Sequence, residues 1–201
     1  MSTNRILILA AILMAIGIGL FFLPKQQSAD AAPSLASLSK GDAPWPAEIA
    51  HLQARLAAIG QPALSSEGTV IHIHQHLDIF VHGQKVEVPS GIGIHETGPA
   101  FIAPIHTHDA SGIVHVEAPN EGPFTLGQFF DIWGVRLTPE CLGGYCADEK
   151  DSLSVYVDGK RYQADPRTLQ LSAHQEIVIF YGTSSELPSP LPSGYAFPEG
   201  Y

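Results

Sequence analysis

Histidine residues are concentrated in one part of this chain. Ten histidines occur among 201 residues, and eight of them lie between positions 72 and 115. The segments HIHQH (72–76) and HTH (106–108) place histidine at every second position, and HVE (115–117) follows shortly after. Neutral imidazole is the most common protein ligand for zinc, copper, nickel and iron ions. These segments therefore predict a transition-metal site.

A β-strand would position the first of these segments for metal binding. Apolar and polar residues largely alternate from Ile71 to His82. A strand directs alternate side chains to opposite faces, so His72, His74 and His76 are predicted on one face. Neighbouring positions on one face can reach the same ion, and each His-x-His pair therefore supplies two ligands.

The second histidine segment is predicted to form a β-hairpin. The sequence Asp-Ala-Ser-Gly at 109–112 is typical of a turn. A turn over these four residues places His106 opposite His115, and directly opposed residues share one face. The site then forms if the sheet brings both histidine segments together. The predicted metal ligands are His72, His74, His76, His106, His108, His115 and Glu117.

Other polar residues near these segments are weaker candidates. His82 falls in a predicted turn, and the spacing does not tie His95 or His174 to the site. Asp109 is a second carboxylate that could assist a bound metal. No catalytic residue is assigned, because no acid–base pair stands apart from the histidines.

The ligand types favour copper or zinc, with iron as a further candidate. No thiolate is well placed, and Met1 and Met14 lie outside the predicted domain, which disfavours Cu(I). The surplus of histidines favours a metal-binding protein over an enzyme. The alternatives are a metal-dependent enzyme, with three histidine ligands and an open position for water or oxygen, and an interaction domain whose histidines sense pH.

Composition and motifs exclude other function classes. The formal net charge is −10, whereas nucleic-acid binding selects clustered lysine and arginine. The chain has no Gly-x-Ser-x-Gly motif and no glycine-rich phosphate loop. A metal ion is therefore the predicted ligand, with no nucleic-acid partner.

The beginning of the chain predicts export. Residues 6–23 form an uncharged apolar run that suits a membrane anchor, while Ala29-Asp30-Ala31 suits cleavage of a signal peptide. The anchor is favoured, with the domain on the periplasmic or cell-surface side; cleavage would give a secreted protein. The predicted segments are an anchor or signal peptide (1–25), a flexible linker (26–45), a short helix (46–60), and a histidine-rich β domain with a Pro-rich tail (68–201).

The predicted fold class is mainly β, within the α+β class. We expect an antiparallel, sandwich-like domain with two β-hairpin units, 77–89 and 153–165, and one or two short helices. Thr125 and Gln128 fit a capping box at the start of the helix in FTLGQFFDIWG. In an exported chain, the pair Cys141 and Cys146 is predicted to form a disulfide; a metal role would need two further ligands.

Four segments together resemble a widespread family of uncharacterised exported bacterial and archaeal proteins. They are HIHQHLDIFVHG, PIHTHDASGIVHVE, FTLGQFFDIWG and CLGGYC, and the resemblance covers roughly residues 70–198. Its most specific part is HTHD-x-SGI-x-H-x-E. The resemblance implies export and a shared fold. It implies no activity and no catalytic residues, since none is established for the family.

Overall fold

The structure is a computed structural model that describes residues 38–201. The predicted anchor or signal peptide, and the linker up to residue 37, lie outside this range. Within it, no helix has the length and apolar character needed to cross a membrane. The regular elements are α1 (Leu52–Ala58), β1 (Ile71–Val81), β2 (Gln84–Val86), β3 (Ile94–His95), β4 (Phe101–Ile102), β5 (Ile105–His106), β6 (Ile113–Ala118), α2 (Leu126–Trp133), β7 (Cys141–Leu142), β8 (Tyr145–Cys146), β9 (Ser152–Val157), β10 (Lys160–Tyr162) and β11 (Glu176–Gly182).

One mixed sheet forms the centre of the domain. Its strand order is β10-β9-β11-β1-β6-β5, and β2 pairs with part of β1. The prediction of a mainly β fold with two short helices is confirmed. The prediction of an antiparallel sheet needs correction, because β1 and β11 are parallel. Parallel neighbours require a long connection, and here β6, α2 and β9 all lie between the two strands in the chain.

The domain is not a sandwich of two sheets. Within residues 38–201, the two remaining sheets are β3-β4 and β7-β8, whose two-residue strands are too short to form a second layer. Helix α2 supplies apolar cover instead. Phe129 and Trp133 belong to the same buried core as Leu77 and Ile79 of β1. Full burial of one such side chain stabilises the fold by about 1.5–3 kcal/mol.

Both predicted hairpins form. β1 with β2, and β9 with β10, are antiparallel pairs. Each turn has two consecutive residues with positive φ, His82-Gly83 in the first and Asp158-Gly159 in the second. Such turns match the right-handed twist of paired strands.

The N-terminal part of the described chain is more ordered and less helical than predicted. Ser39 pairs with Val135, and Trp45 is buried, so residues 39–45 pack on the domain rather than forming a linker. Helix α1 is shorter than the predicted 46–60. The carbonyl oxygen of Pro46, at the predicted start of the helix, accepts a hydrogen bond from Trp133 Nε1 at 3.1 Å.

Two local predictions, a capping box and a disulfide, are confirmed. The Thr125 hydroxyl accepts from Gln128 N, and the Gln128 side chain accepts from Thr125 N, which completes the capping box of α2. Cys141 and Cys146 form a disulfide across the β7–β8 pair.

Candidate metal centre

Strand β6 lies between the two histidine-bearing segments. His115 of β6 is opposite His74 of β1 on one side and opposite His106 of β5 on the other. The predicted pairing of His106 with His115 is confirmed. The alternate residues of the same strands, such as Ile105 and Val116, are fully buried in the core. Core packing on one face therefore places the imidazoles together on the other.

His72 and His74 form the β1 pair. Their Nε2 atoms lie 3.1 Å apart, and His72 Nε2 lies 3.3 Å from Glu117 Oε1. Two ligands bound tetrahedrally at about 2.1 Å from one ion are roughly 3.4 Å apart. The β1 pair is therefore already close to the spacing that a shared ion requires.

His106 and His108 form the β5 pair, which has the same spacing. Their Nε2 atoms are also 3.1 Å apart, and His106 Nε2 lies 3.9 Å from Glu117 Oε1. His106 Nδ1 donates to the carbonyl oxygen of Ala103 at 3.0 Å. A carbonyl only accepts, so this contact puts the ring proton on Nδ1 and leaves the Nε2 lone pair toward the site.

His115 and Glu117 occupy the middle of the site. His115 Nδ1 lies 3.0 Å from Glu117 Oε1, so a proton on Nδ1 leaves Nε2 as the free ligand atom. Ligand atoms of His115 and Glu117 group with the β1 pair and also with the β5 pair, and within each group of four every pair of atoms lies within 4.8 Å. Each group therefore brings four candidate ligand atoms together.

The buried histidines of the site favour the neutral form. Burial is the main cause that lowers the pKa of His106 to about 4; the hydrogen bond with the Ala103 carbonyl opposes this shift, and the neighbouring His108 adds to it. Burial, followed by the surrounding histidines, lowers the pKa of His115 to about 3, and burial and His72 also lower the pKa of His74. Since protonated imidazole cannot ligate, these rings are ready to bind a metal at neutral pH without losing a proton.

Glu117 is a buried carboxyl group with a partner for only one of its two oxygens. Burial and the nearby Glu67 carboxylate raise the pKa of Glu117 to about 7. Its Oε2 atom is buried and accepts no hydrogen bond from any donor within residues 38–201. A buried carboxylate in this state is costly, and a bound cation would neutralise it. Glu67, which is also 3.4 Å from His108, was not predicted, because the loop before β1 has no periodic pattern.

His76 is not brought into either group. Its Nδ1 lies 2.8 Å from Glu176 Oε2, its Nε2 lies 3.0 Å from the carbonyl oxygen of Ser111, and Tyr195 stacks on the ring. His76 could join a separate buried group with Asp78 and Glu176. With both nitrogens facing oxygen acceptors, it ties β1 to β11 and to the 109–112 turn.

The weaker candidates lie away from the centre or serve other contacts. His82 groups with Asp151 and Glu186 at the surface. His95 stacks on Phe101, and His174 Nε2 contacts the carbonyl oxygen of Tyr201 at 2.9 Å. Asp109 accepts from Ser111 N at 2.8 Å, which shapes the turn.

The Pro-rich tail runs along the histidine face. The Tyr201 ring lies 4.5 Å from the His74 ring and 5.5 Å from the His115 ring, measured between centroids. Tyr195 covers His76 at 3.8 Å. The sequence predicts an extended tail, but it does not indicate which surface the tail contacts.

The fold and the site define a mainly β domain with a histidine-rich sheet face that could hold a metal ion. Comparisons with protein-family models, with curated proteins and with solved structures found no match to the chain. The function is therefore inferred from the chemistry of the site.

Proposed function

We propose that this protein binds a transition-metal ion, copper or zinc, through the histidine face formed by β1, β6 and β5. The observation that carries the proposal is the set of Nε2 atoms facing one another, at 3.1 Å in both the β1 pair and the β5 pair. His106 of the β5 pair directs Nδ1 to the Ala103 carbonyl, and His115, between the pairs, directs Nδ1 to Glu117, so a proton on Nδ1 leaves Nε2 free in both rings. In each pair the two Nε2 atoms lie within hydrogen-bond distance, so either a proton carried by one Nε2 or a cation bound by both lies between the rings.

The electrostatics of the site disfavour an imidazolium ion at neutral pH. The pKa of His106, lowered to about 4, and that of His115, lowered to about 3, disfavour imidazolium. The pKa of Glu117, raised to about 7, leaves this carboxyl group partly ionised at neutral pH, and a bound cation would favour its carboxylate form. Nitrogen ligands with one carboxylate suit Cu(II) and Zn(II). Fe(II) is a third candidate, which this ligand set suits less well.

We also propose that the domain acts outside the cytoplasm, as an exported or membrane-tethered protein. The apolar run at residues 6–23 supports this location. The Cys141–Cys146 disulfide supports it independently, because disulfides persist in oxidising compartments. Fractionation of cells expressing the full chain, with a protease-accessibility assay, tests the location.

The metal proposal is tested on the full chain purified from its own compartment. Metal content is measured first, and affinity is then measured by competition against a chelator. His115→Gln is the sharpest variant, because His115 belongs to both groups of ligands. We expect at least tenfold weaker binding in His115→Gln. The control His51→Gln changes an exposed ring whose hydrogen bond within residues 38–201 is to Glu48, and this variant should bind metal as the wild type does.

Unchanged affinity in a folded His115→Gln variant would refute the assignment of the site. Failure of the wild type to bind copper, zinc or iron would refute metal binding altogether and leave the pH-sensing alternative.

A metal-dependent enzyme is the second candidate. The observation that favours it is the exposure of His72 and His108 at the rim of the site, where water or oxygen can reach a bound ion. Azide addition to the Cu(II) form separates the two functions. A shifted visible spectrum indicates an open ligand position and favours catalysis, while an unchanged spectrum favours a closed binding site.

A further inference from the structure

The histidine face contains more ligands than one ion can use. Five imidazoles and one carboxylate belong to the two groups, whereas zinc takes four ligands. The β1 pair and the β5 pair come from strands on opposite sides of β6. Two strand spacings of about 4.8 Å separate their backbones by nearly 10 Å.

The two pairs do not fall within one coordination sphere. Two ligands of a single ion at about 2.1 Å can be at most about 4.2 Å apart. The ligand atoms of residues 38–201 form one group around the β1 pair and another around the β5 pair, and these groups share only His115 and Glu117. Each pair is therefore suited to its own ion.

The ring of His115 lies against rings of both pairs. The ring of His74 lies 4.6 Å from that of His115 at 83°, and the ring of His108 lies 4.5 Å away at 85°. The Nε2 separation is 3.1 Å in each pair. His106, which is opposite His115 in β5, stacks on it at 5.3 Å and 15°, so His115 lies between the two pairs rather than within one of them.

We propose that the histidine face is a two-metal centre in which Glu117 bridges two divalent transition-metal ions. The inference rests on the proposed metal binding. His72 and His74 hold one ion, and His106 and His108 hold the other. His115 completes the coordination of one of them, which leaves an open position on its neighbour.

Glu117 is suited to a bridging role by its position and its charge. Its Oε1 atom lies 3.3 Å from His72 Nε2 and 3.9 Å from His106 Nε2, so it faces both pairs. Its Oε2 atom is buried without a hydrogen-bond partner among the described residues. Ions in two-metal sites lie about 3.5–4 Å apart and repel each other, and a shared carboxylate reduces that repulsion. Glu67 adds a second negative charge beside Glu117.

The test is copper stoichiometry combined with electron paramagnetic resonance of the full chain loaded with Cu(II) and freed of excess metal. We expect two copper ions per chain and the half-field signal of a coupled pair. One ion per chain would overturn the two-metal centre while leaving the proposed function intact. No bound copper, zinc or iron would overturn both.

Two matched variants locate the ions. Each is a double variant that removes one pair by the same chemical change. The first is His72→Ala with His74→Ala, and the second is His106→Ala with His108→Ala. Each variant should retain one ion and lose the half-field signal. Retention of two ions by either variant, or loss of both ions from only one of them, would overturn the assignment.

A surface control tests whether the second ion is bound at His82 instead. His82 could bind an ion with Asp151 and Glu186, so His82→Ala should leave the stoichiometry at two. A drop to one ion in His82→Ala would overturn the proposal. If a double variant does not fold, as judged by circular dichroism, the single variants His72→Ala and His108→Ala replace it, because both side chains are partly exposed.

Discussion

Replacing Glu117 by glutamine is expected to stabilise the metal-free protein at neutral pH. The pKa of Glu117 is raised from 4.5 to about 7, first by burial and then by Glu67. Between these two values the folded state holds the proton more tightly than the unfolded state does. The carboxylate therefore destabilises the fold increasingly as the pH rises from 4.5 to 7, and its full cost is present above pH 7.

The size of this effect follows from the two pKa values. Each tenfold change in proton affinity is worth about 1.4 kcal/mol, so a pKa raised from 4.5 to about 7 corresponds to about 3 kcal/mol. Glu117 is only 3% exposed, so solvent screening reduces this figure little. Glutamine is uncharged, and it keeps an oxygen that can accept from His115 Nδ1.

Urea denaturation of chelator-treated protein measures the difference at pH 8, 6 and 4.5. The free energy of unfolding of Glu117→Gln should exceed that of the wild type by about 3 kcal/mol at pH 8, by less at pH 6, and by almost nothing at pH 4.5. The lowered pKa of His106 makes stability fall from pH 6.5 toward 4, but it does so in both proteins. Equal stability of the two proteins at pH 8, or a gain that does not vary with pH, would refute the reasoning.

Three further outcomes are expected. Nitrogen-15 NMR of the metal-free protein should find His106 and His115 neutral at pH 6, because burial lowers their pKa values to about 4 and about 3; a midpoint near 6.5 would contradict this. Gly112→Ala should lose about 2 kcal/mol more stability in urea than Gly98→Ala, since both have positive φ but only at Gly112 would a Cβ meet the backbone of β1, at 2.8 Å. Phe129→Ala should lower the free energy of unfolding by about 3–5 kcal/mol in urea, yet the variant should keep its bound metal. A folded variant without metal would show that the core, rather than the histidine face alone, sets the affinity.

The local features of the site could be predicted from the sequence. The period of two places alternate histidines of β1 on one face, and the turn at 109–112 fixes the pairing of His106 with His115. The capping box at Thr125 and the Cys141–Cys146 disulfide are also local in the chain. Each depends on residues a few positions apart, where side-chain direction and turn geometry leave few alternatives.

The position of His76 shows where the sequence pattern stops being sufficient. His76 shares the face of His72 and His74 by strand periodicity, yet β1 pairs there with β11 and places Glu176 beside it. The sequence separates His76 from Glu176 by 100 residues, and no period links them. The same limit applies to Glu67, which reaches the site from a loop.

By itself, the sequence determined which residue types face the same way on each strand, because the backbone alternates its side chains locally. Only the tertiary structure decided that β6 lies between β1 and β5, that β1 runs parallel to β11, and that Glu117 is buried between two histidine pairs. Sheet order depends on how distant apolar faces pack into one core, and that long-range packing brings the five imidazoles to a common carboxylate.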